Sequence, residues 1–424
     1  MPDRHSSLSS SVSGGTSNQP PNPPEPFSSA KARTEWARLH SGFVYIGIVT
    51  ILLGPLLPYL ARHWYLSDSQ AGFLFTAEYS GTVVGNFLTG LLLPRIGFSK
   101  VMGISFLLFV LGFSFLGAGP WTFACLLIFL YGIALGLSVP ISNLRATQLP
   151  SANTAAAVSL LNFSWGIGAV LCPFLIATLL PSLGLRGFTA SLAALALIFS
   201  VLYFARPTTA RVRTTKSPGS SPGAWLTQLR HASAVPLLLL FFLYVGVETA
   251  LGGWVAAYEK RMPGMGSSTW ALAPLIFYFF LLTGRGLAAL ALRLQSQGAV
   301  STAGLLCAVF GASMIAYSQT PFLLYVGTAI AGFGLAPQYP LYVTWFAKTF
   351  RQDANWLGAL YFGGAGLGGA VLPWLVGIIA AHTSSLRAGL ILPAAVTAVM
   401  VILSLRARPQ SVPAQNSIRA CKWE

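Results

Sequence analysis

Twelve apolar runs follow one another along the chain, separated by short segments that contain Gly, Pro or charged residues. Hydrophobic and polar positions do not alternate within the runs, so the pattern excludes the strands of a porin-like barrel. A helix needs about 20 residues to cross ~30 Å of hydrocarbon, and each run has that length. We therefore predict transmembrane helices at residues 41–61, 69–93, 99–119, 122–145, 154–180, 186–205, 235–258, 270–293, 299–318, 321–347, 355–381 and 385–406.

Polar segments divide the chain into five parts. Residues 1–40 are rich in Ser and Pro and lack the apolar core of a signal peptide, which predicts a disordered cytoplasmic tail. The longest internal polar segment, 206–234, follows the sixth run. We therefore predict a six-helix bundle at 41–205, a cytoplasmic linker at 206–234, a second bundle at 235–406 and a cytoplasmic tail at 407–424.

The composition agrees with a membrane protein. Of the 424 residues, 54% are hydrophobic and 8% are charged, whereas soluble domains are about 25% charged. These values exclude a soluble enzyme, a disordered protein and a secreted scaffold held by disulfides. The four cysteines are far apart and are interpreted as free thiols. The five histidines are scattered, so neither a metal site nor another cofactor is expected.

The distribution of positive charge predicts the orientation. There are 25 Lys and Arg residues against 9 Asp and Glu, but the basic residues form no stripe, so nucleic-acid binding is not expected. If the N-terminus is cytoplasmic, 19 basic residues lie inside, five lie outside and Arg285 lies within a run. Because cytoplasmic loops carry the excess of Lys and Arg, we predict an integral protein of the inner (plasma) membrane with both termini cytoplasmic.

The two halves of the chain repeat each other. Residues 168–173 of the fifth run match residues 368–373 of the eleventh, and 85–88 of the second run match 284–287 of the eighth. Duplicated six-helix halves joined by a linker are typical of transporters that rock around a central site. The fold class that we predict is all-α, with twelve transmembrane helices in two pseudo-symmetric bundles.

The segment between the second and third runs resembles the signature loop of the major facilitator superfamily. Gly90, Arg95, Gly97 and Lys100 occupy the positions of that signature. In the family this loop gates the cytoplasmic side, and an acidic residue in it helps to latch the two halves together. Pro94 replaces that acid here, so the resemblance does not extend to the latch.

The seventh run is similar to the fucose permease and glucose/galactose permease branch of that superfamily, with Tyr-Val-Gly-Val-Glu at 244–248 followed by Gly-Gly-Trp at 252–254. The resemblance covers about 41–406. It implies a monomer that moves a monosaccharide by alternating access. The fucose permease has acids tied to proton coupling in its first and fourth spans, and the corresponding runs here contain none. Proton symport is therefore not carried over.

Three charged residues lie deep inside the predicted spans. A charge at the bilayer centre costs ~2.5–3.5 kcal/mol and persists if it faces a cavity, finds a partner or is neutralised. Glu248 and Arg285 differ in depth by ~7 Å at 1.5 Å per residue, so we expect them to pair across adjacent helices, either for transport or for structure alone. Glu78 has no cation at its depth. It is a candidate for coupling to H⁺ or Na⁺, and a permanently neutral buried residue is the alternative.

A sugar site needs amides and hydroxyls for hydrogen bonds and an aromatic ring to cover the apolar face of the sugar. Residues of these types lie in the runs of both halves, as alternating access requires. Helix packing is the alternative role for each of them, and anchoring at the membrane interface is a further one for Trp254. The predicted substrate-binding residues are Asn162, Trp165, Trp254, Gln338, Tyr339, Tyr342 and Tyr361.

Three functions are compatible with these features. The first is a secondary transporter of a small polar solute, a monosaccharide by resemblance, working with H⁺ or Na⁺ or as a uniporter. The second is an exporter of amphipathic drugs or metabolites, which aromatic cavities also bind. The third, from a different class, is a membrane sensor that transports nothing. The sequence contains no Walker A motif, so ATP is not expected to drive transport.

Overall fold

The computed structural model is helical through nearly all of the residues that it describes. The predicted N-terminal tail up to residue 29, the linker at 207–233 and the C-terminal tail from residue 408 lie outside the described part of the chain. The described residues are 30–149, 154–206, 234–263, 265, 272–350 and 354–407.

Among the described residues six helices form the first half, and three of them depart from a simple span. The first two helices are bent by 45° against each other and make one membrane pass. The sixth has 52 residues and is broken at Gly184, whose φ of 65° lies in the left-handed region, so it crosses the membrane twice. The helices are α1 (Ala30–Ile51), α2 (Leu53–His63), α3 (Asp68–Ile96), α4 (Phe98–Ser114), α5 (Trp121–Gln148) and α6 (Thr154–Ala205).

Seven helices form the second half. The fourth and fifth of them are short and are separated by Ala336 and Pro337, so together they make one pass. Pro337 has no N–H to continue the helical hydrogen bonding, and it restricts the residue before it. The helices are α7 (Ala234–Lys260), α8 (Leu272–Leu294), α9 (Gln297–Tyr317), α10 (Pro321–Leu335), α11 (Gln338–Phe350), α12 (Ala354–Thr383) and α13 (Leu386–Ala407).

Length and hydropathy alone identify seven of the described helices as membrane spans, and the bent pair α1–α2 makes an eighth. The second pass of α6 adds one more. The remaining passes are α3, which is more polar, α4, which has 17 residues, and the joined pair α10–α11. The total is twelve passes, as the hydrophobic pattern predicted.

The same helix pairs pack in both halves. The first pass packs on the fifth through α1 and α6, as the seventh packs on the eleventh through α7 and α12. Glycines make the equivalent contacts: a Cβ on Gly168 would lie 2.0 Å from the Val44 carbonyl oxygen, and one on Gly368 would lie 1.8 Å from that of Phe242. Backbones approach this closely only where no side chain intervenes. The matching sequence motifs therefore hold equivalent helix pairs together.

The two halves meet through three helix pairs, α2 with α7, α3 with α12 and α6 with α8. We call the face that carries Ala30 and Ala407 the inner face, and the opposite one the outer face. Because α2 is the outer part of the first pass, its contact with α7 closes the seam towards the outer face. Towards the inner face, α5 packs on helices of the first half, and α10 and α11 pack on helices of the second half.

Candidate functional site

A small cavity lies between the two halves, and both membrane-embedded glutamates line it. Glu78 comes from α3 and Glu248 from α7. Glu78 lies ten residues beyond the start of α3, or ~15 Å along the helix axis, which places the cavity near the middle of the membrane. The polar and aromatic side chains around it are those of Thr50, Phe75, Glu78, Tyr79, Trp165, Glu248, Thr249 and Tyr278.

Glu78 is held in place by close packing of α3 on α5. A Cβ on Gly132 would lie 2.1 Å from the Glu78 carbonyl oxygen, so the two backbones touch. The Glu78 side chain is 2% exposed. Its polar neighbour on α5 is the Tyr131 hydroxyl. No cation forms an ion pair with it among the described residues.

Tyr79 and Thr249 join the halves beside these glutamates. Their hydroxyls are 2.8 Å apart, and Tyr79 belongs to α3 whereas Thr249 belongs to α7. Each residue directly follows one of the two glutamates in the sequence. The cavity therefore has a hydrogen bond between the halves at the level of its two carboxyl groups.

The predicted ion pair between Glu248 and Arg285 is not formed in this conformation. The ion pairs within the described residues are Arg145 with Glu35 and Arg261 with Asp68. The Arg285 guanidinium instead lies over the Trp165 ring, 5.2 Å from its centre. The face of an indole attracts a cation without the desolvation of a second charge.

The Tyr244 hydroxyl lies close to both Glu248 and Arg285. It belongs to α7, one turn before Glu248, and so faces the same side of the helix. The hydroxyl is near both charged groups, but it is buried without a hydrogen-bond partner among the described residues.

Trp165 is the predicted substrate-binding residue that the structure places on the cavity. Its indole nitrogen donates to the Thr50 hydroxyl at 3.3 Å, which ties α6 to α1. One ring face lies against Arg285 of the second half. The ring is therefore held by groups from both halves.

Asn162 lies away from the cavity lining, although it is one turn from Trp165. Its amide nitrogen donates to the Asn143 side-chain oxygen and to the Val158 carbonyl, both at 2.9 Å. These bonds connect α6 to α5 within the first half. In this conformation both amide hydrogens of Asn162 are used inside the first half, and its contact with a substrate stays a prediction.

Gln338 is also committed to the bundle. It is fully buried, it donates to the carbonyl oxygens of Ser301 and Gly334 at 3.1 and 3.2 Å, and it accepts from the Ser301 hydroxyl at 2.9 Å. These bonds connect the break between α10 and α11 to Ser301 of α9. Both amide hydrogens of Gln338 are used inside the second half in this conformation, and its role as a sugar ligand stays a prediction.

Tyr339, Tyr342 and Tyr361 belong to an aromatic cluster of the second half rather than to the cavity lining. All three pack around Phe241, with ring centres 6.0–6.3 Å from it. The Tyr361 hydroxyl donates to the Ala234 carbonyl at 2.7 Å. The Tyr342 hydroxyl is buried without a hydrogen-bond partner among the described residues. The cluster packs α7, α11 and α12 together.

Trp254 lies at the outer seam instead of in the cavity. It is fully buried, and its indole nitrogen donates to the Pro373 carbonyl at 2.8 Å. Its ring lines a second pocket towards the outer face. Asp68 and Arg261 line the same pocket.

The predicted gating loop is a one-residue connection between α3 and α4. Gly97 has a φ of 81° and donates its N–H to the Leu93 carbonyl at 3.1 Å, which ends α3 as a glycine cap. Gly90, Arg95 and Lys100 are exposed. Pro94 is accommodated within the last turn of α3. The loop therefore presents two positive charges at the inner face.

The cavity includes polar residues that the sequence did not single out, namely Thr50, Tyr79, Thr249 and Tyr278. Two of them follow the glutamates directly. Tyr278 lies seven residues, or two turns, before Arg285, so both face the same side of α8. This spacing from the embedded Arg285 could have identified Tyr278 from the sequence.

Together these groups can bind a small polar solute. Hydroxyls donate and accept hydrogen bonds, the indole covers an apolar surface, and two carboxyl groups can neutralise a cation. Among the described residues no group of His, Cys, Asp and Glu side chains is arranged to hold a metal ion.

Comparison with known proteins agrees with this architecture. The chain is 23% identical over 384 residues to sodium-dependent glucose transporter 1A of Mus musculus, covering 81% of this chain and 89% of the relative. It is 20% identical over 393 residues to the glucose/mannose transporter GlcP of Bacillus subtilis, covering 90% and 97%. Among solved structures, the E. coli fucose:proton symporter FucP superposes with a TM-score of 0.63 at 19% identity, covering 89% and 99%.

The superposition confirms the predicted fold. The model of the Major Facilitator Superfamily matches residues 39–358, from the middle of α1 to the first turns of α12. That range contains the cavity, both embedded glutamates and the loop that carries Gly97. The chain belongs to the Major Facilitator Superfamily, and it is a membrane transporter rather than an enzyme.

Proposed function

We propose that this chain is a secondary transporter that carries a monosaccharide across the membrane by alternating access. The observation that supports this most is the cavity between the halves, which brings two carboxyl groups, four hydroxyl-bearing side chains and one indole together near mid-depth. Transporter sites lie at the interface of the repeats near the bilayer midplane. A solute held there faces one side or the other as the halves rock.

The side chains of the cavity suit a sugar. Thr50, Tyr79, Thr249 and Tyr278 can exchange hydrogen bonds with sugar hydroxyls, and Trp165 can cover the face of the ring. The names of the relatives support the same substrate class, because they are transporters of glucose, mannose and fucose. We assign the substrate contacts to these five residues rather than to Asn162 or Gln338.

Glu78 and Glu248 are the candidates for ion coupling. Both carboxyl groups line the solute cavity, so a cation bound to them shares the site with the substrate. H⁺ and Na⁺ both neutralise a carboxylate, and the mouse relative is named sodium-dependent whereas FucP is named a proton symporter. We favour symport of the sugar with one of these two ions.

The membrane arrangement that goes with this function is a monomer in the inner (plasma) membrane with both termini cytoplasmic. The excess of basic residues at the inner face supports that orientation. It places the outer pocket of Trp254 outside the cell and Gly97 inside it.

A second function, export of amphipathic cations, is favoured by one observation. The cavity combines two carboxyl groups with the rings of Phe75, Tyr79, Trp165 and Tyr278. Aromatic faces and carboxylates also bind hydrophobic cations. The same pair of glutamates would then hold the drug itself.

Transport by purified protein in liposomes separates the two functions. Labelled glucose, mannose and fucose are offered with an inward Na⁺ gradient, with an inward proton gradient and with neither. We expect accumulation of at least one sugar under one gradient. Accumulation of hydrophobic cations without any sugar uptake would support the exporter, and no flux of either class would leave a sensor as the remaining function.

Ligand binding in detergent provides an independent check. A ligand that binds the folded state raises its unfolding midpoint in proportion to ln(1 + [L]/Kd). The same panel is therefore screened by thermal shift with and without Na⁺ at two pH values. A sugar that shifts the midpoint of the wild type but not of Trp165→Ala locates the site in the cavity.

A further inference from the structure

Asp68 and Arg261 tie the two halves together at the outer face. Asp68 begins α3, and Arg261 directly follows α7. The two nitrogens at the end of the guanidinium donate to the two carboxylate oxygens, at 2.9 Å and 2.5 Å. This bidentate geometry is the strongest form of a charge-assisted hydrogen bond between side chains. The Asp68 side chain is 17% exposed, so the pair is partly shielded from solvent.

The same two helices carry the glutamates of the cavity. Glu78 is ten residues after Asp68, or ~15 Å along α3, and Glu248 is 13 residues before Arg261, or ~20 Å along α7. Both therefore lie well below the ion pair. A displacement that moves α3 away from α7 at the outer face also separates the two carboxyl groups.

Further contacts close the seam between these two levels. A Cβ on Gly253 would lie 2.6 Å from the Phe75 ring, so the ring rests directly on the α7 backbone. The hydrogen bond between Tyr79 and Thr249 lies below it. The first pass adds Gly54, where a Cβ would lie 2.7 Å from Gly253. The cavity is sealed from the outer face as long as these contacts persist.

The charges on the two levels act in opposite directions. The ion pair attracts α3 to α7, whereas two ionised carboxylates facing one cavity repel each other across the same seam. A cation bound between Glu78 and Glu248 removes that repulsion. Other charged and titratable side chains also lie near these carboxyl groups. Arg285 is the cation among them, and its guanidinium lies over the Trp165 ring. Those side chains are Tyr79, Tyr131, Cys172, Tyr244, Tyr278, Arg285 and Tyr339.

We propose that Asp68 and Arg261 form an outer latch, and that a monovalent cation bound between Glu78 and Glu248 holds this latch closed. Carboxylates bind small monovalent cations, so H⁺ and Na⁺ are the two candidates. Linkage is reciprocal: if the cation favours the closed latch by a given factor, the closed latch raises cation affinity by the same factor. The proposal rests on the assignment of the two glutamates as the coupling site.

The test follows opening of the outer pocket in right-side-out vesicles. Ala257 lines that pocket on α7 and is 5% exposed. In an Ala257→Cys protein, a membrane-impermeant maleimide reports how often the seam opens, with Ser182→Cys, at an exposed position, as the reference for labelling. The wild-type protein, which has neither substitution, gives the background from native cysteines, and the Ala257→Cys protein is the parent of the variants that follow. NaCl is compared with equimolar choline chloride, at neutral and at lower pH, without sugar.

We expect Asp68→Asn to raise the labelling rate of Ala257→Cys about tenfold, since a charge-assisted bidentate contact is lost. Asp68→Glu, which keeps the charge, is expected to remain close to the parent. Na⁺ or lower pH should slow labelling of the parent, and whichever is effective identifies the cation. The Glu78→Gln/Glu248→Gln protein should label slowly and respond to neither.

Equal labelling in Asp68→Asn and in the parent would overturn the latch. Two results would overturn the linkage between cation binding and the latch. One is a labelling rate in the parent that changes with neither Na⁺ nor pH. The other is a labelling rate in the double glutamine variant that still changes with either of them. Because no sugar is present, these outcomes do not depend on the substrate. If the latch responds to a cation but the protein takes up no sugar, the result would contradict the monosaccharide as substrate and would leave the latch unaffected.

Discussion

Tyr79 and Thr249 share a hydrogen bond of 2.8 Å across the two halves, and each directly follows a glutamate that lines the central cavity. The bond therefore reports on the same interface that separates the two carboxyl groups. It also presents two hydroxyls to the cavity from opposite halves. This arrangement makes the pair sensitive to both solute and conformation.

Replacing Tyr79 with Phe should weaken sugar binding about fivefold without unfolding the protein. The substitution keeps the ring but removes one hydroxyl, and a hydrogen bond of this kind is worth ~1 kcal/mol. The control is Thr397→Val, because the Thr397 hydroxyl donates to the Pro393 carbonyl within α13, far from the cavity. Binding isotherms in detergent measure both variants. A Kd for Tyr79→Phe equal to that of the control would remove Tyr79 from the site.

Replacing both glutamates with Gln should abolish accumulation against a gradient but preserve exchange of sugar across the membrane. Glutamine keeps the size and hydrogen bonding of the side chain and cannot carry the charge that a cation neutralises. Counterflow in liposomes measures exchange, and uptake under an imposed ion gradient measures accumulation. If the double variant still concentrates sugar, the coupling ion binds elsewhere.

Gln338→Ala should lower stability and leave sugar affinity unchanged. The amide makes three hydrogen bonds around the break between α10 and α11. Leaving those buried groups unpaired costs ~1–3 kcal/mol for each of them that stays unsatisfied. The unfolding midpoint in detergent should therefore fall, while the Kd of the folded fraction stays at the wild-type value. A large rise in Kd with normal stability would restore Gln338 to the binding site.

Gly132→Ala should separate α3 from α5 and disturb the position of Glu78. The added Cβ would lie 2.1 Å from the Glu78 carbonyl oxygen, so the backbones must move apart. Overpacking of this kind costs ~1–3 kcal/mol. Gly90→Ala is the matched control, because no atom lies within 4 Å of the Cβ it would add, and Ala is the better helix former. The unfolding midpoints of the two variants compare them directly.

The sequence predicts the membrane passes directly, but it does not show which polar and aromatic residues of those passes line the cavity. A span needs only a long apolar run, which the chain shows directly. A ligand must also face the cavity, and that depends on how each helix is rotated by its neighbours. Asn162 and Trp165 are one turn apart, yet Asn162 bonds to Asn143 whereas Trp165 lines the cavity. The packing of α6 against its neighbours determines which of these two side chains lines the cavity.

The embedded glutamates were identifiable because burial of a charge is costly without a cavity or a partner. Both line the cavity in the structure. The expected partner of Glu248 was wrong because depth along two helices is not distance between side chains. The indole of Trp165 competes for Arg285 from the opposite half, and the sequence of the second half contains no sign of it.

The single residue Gly97 between α3 and α4 has a consequence for biosynthesis. Helices joined by so short a turn must enter the bilayer together as a hairpin, with Arg95 and Lys100 at its tip. Positive charges resist translocation, so the tip stays on the cytoplasmic side while the hairpin inserts. Glu78 is thereby carried into the hydrocarbon by an apolar partner helix, before α5 is available to enclose it.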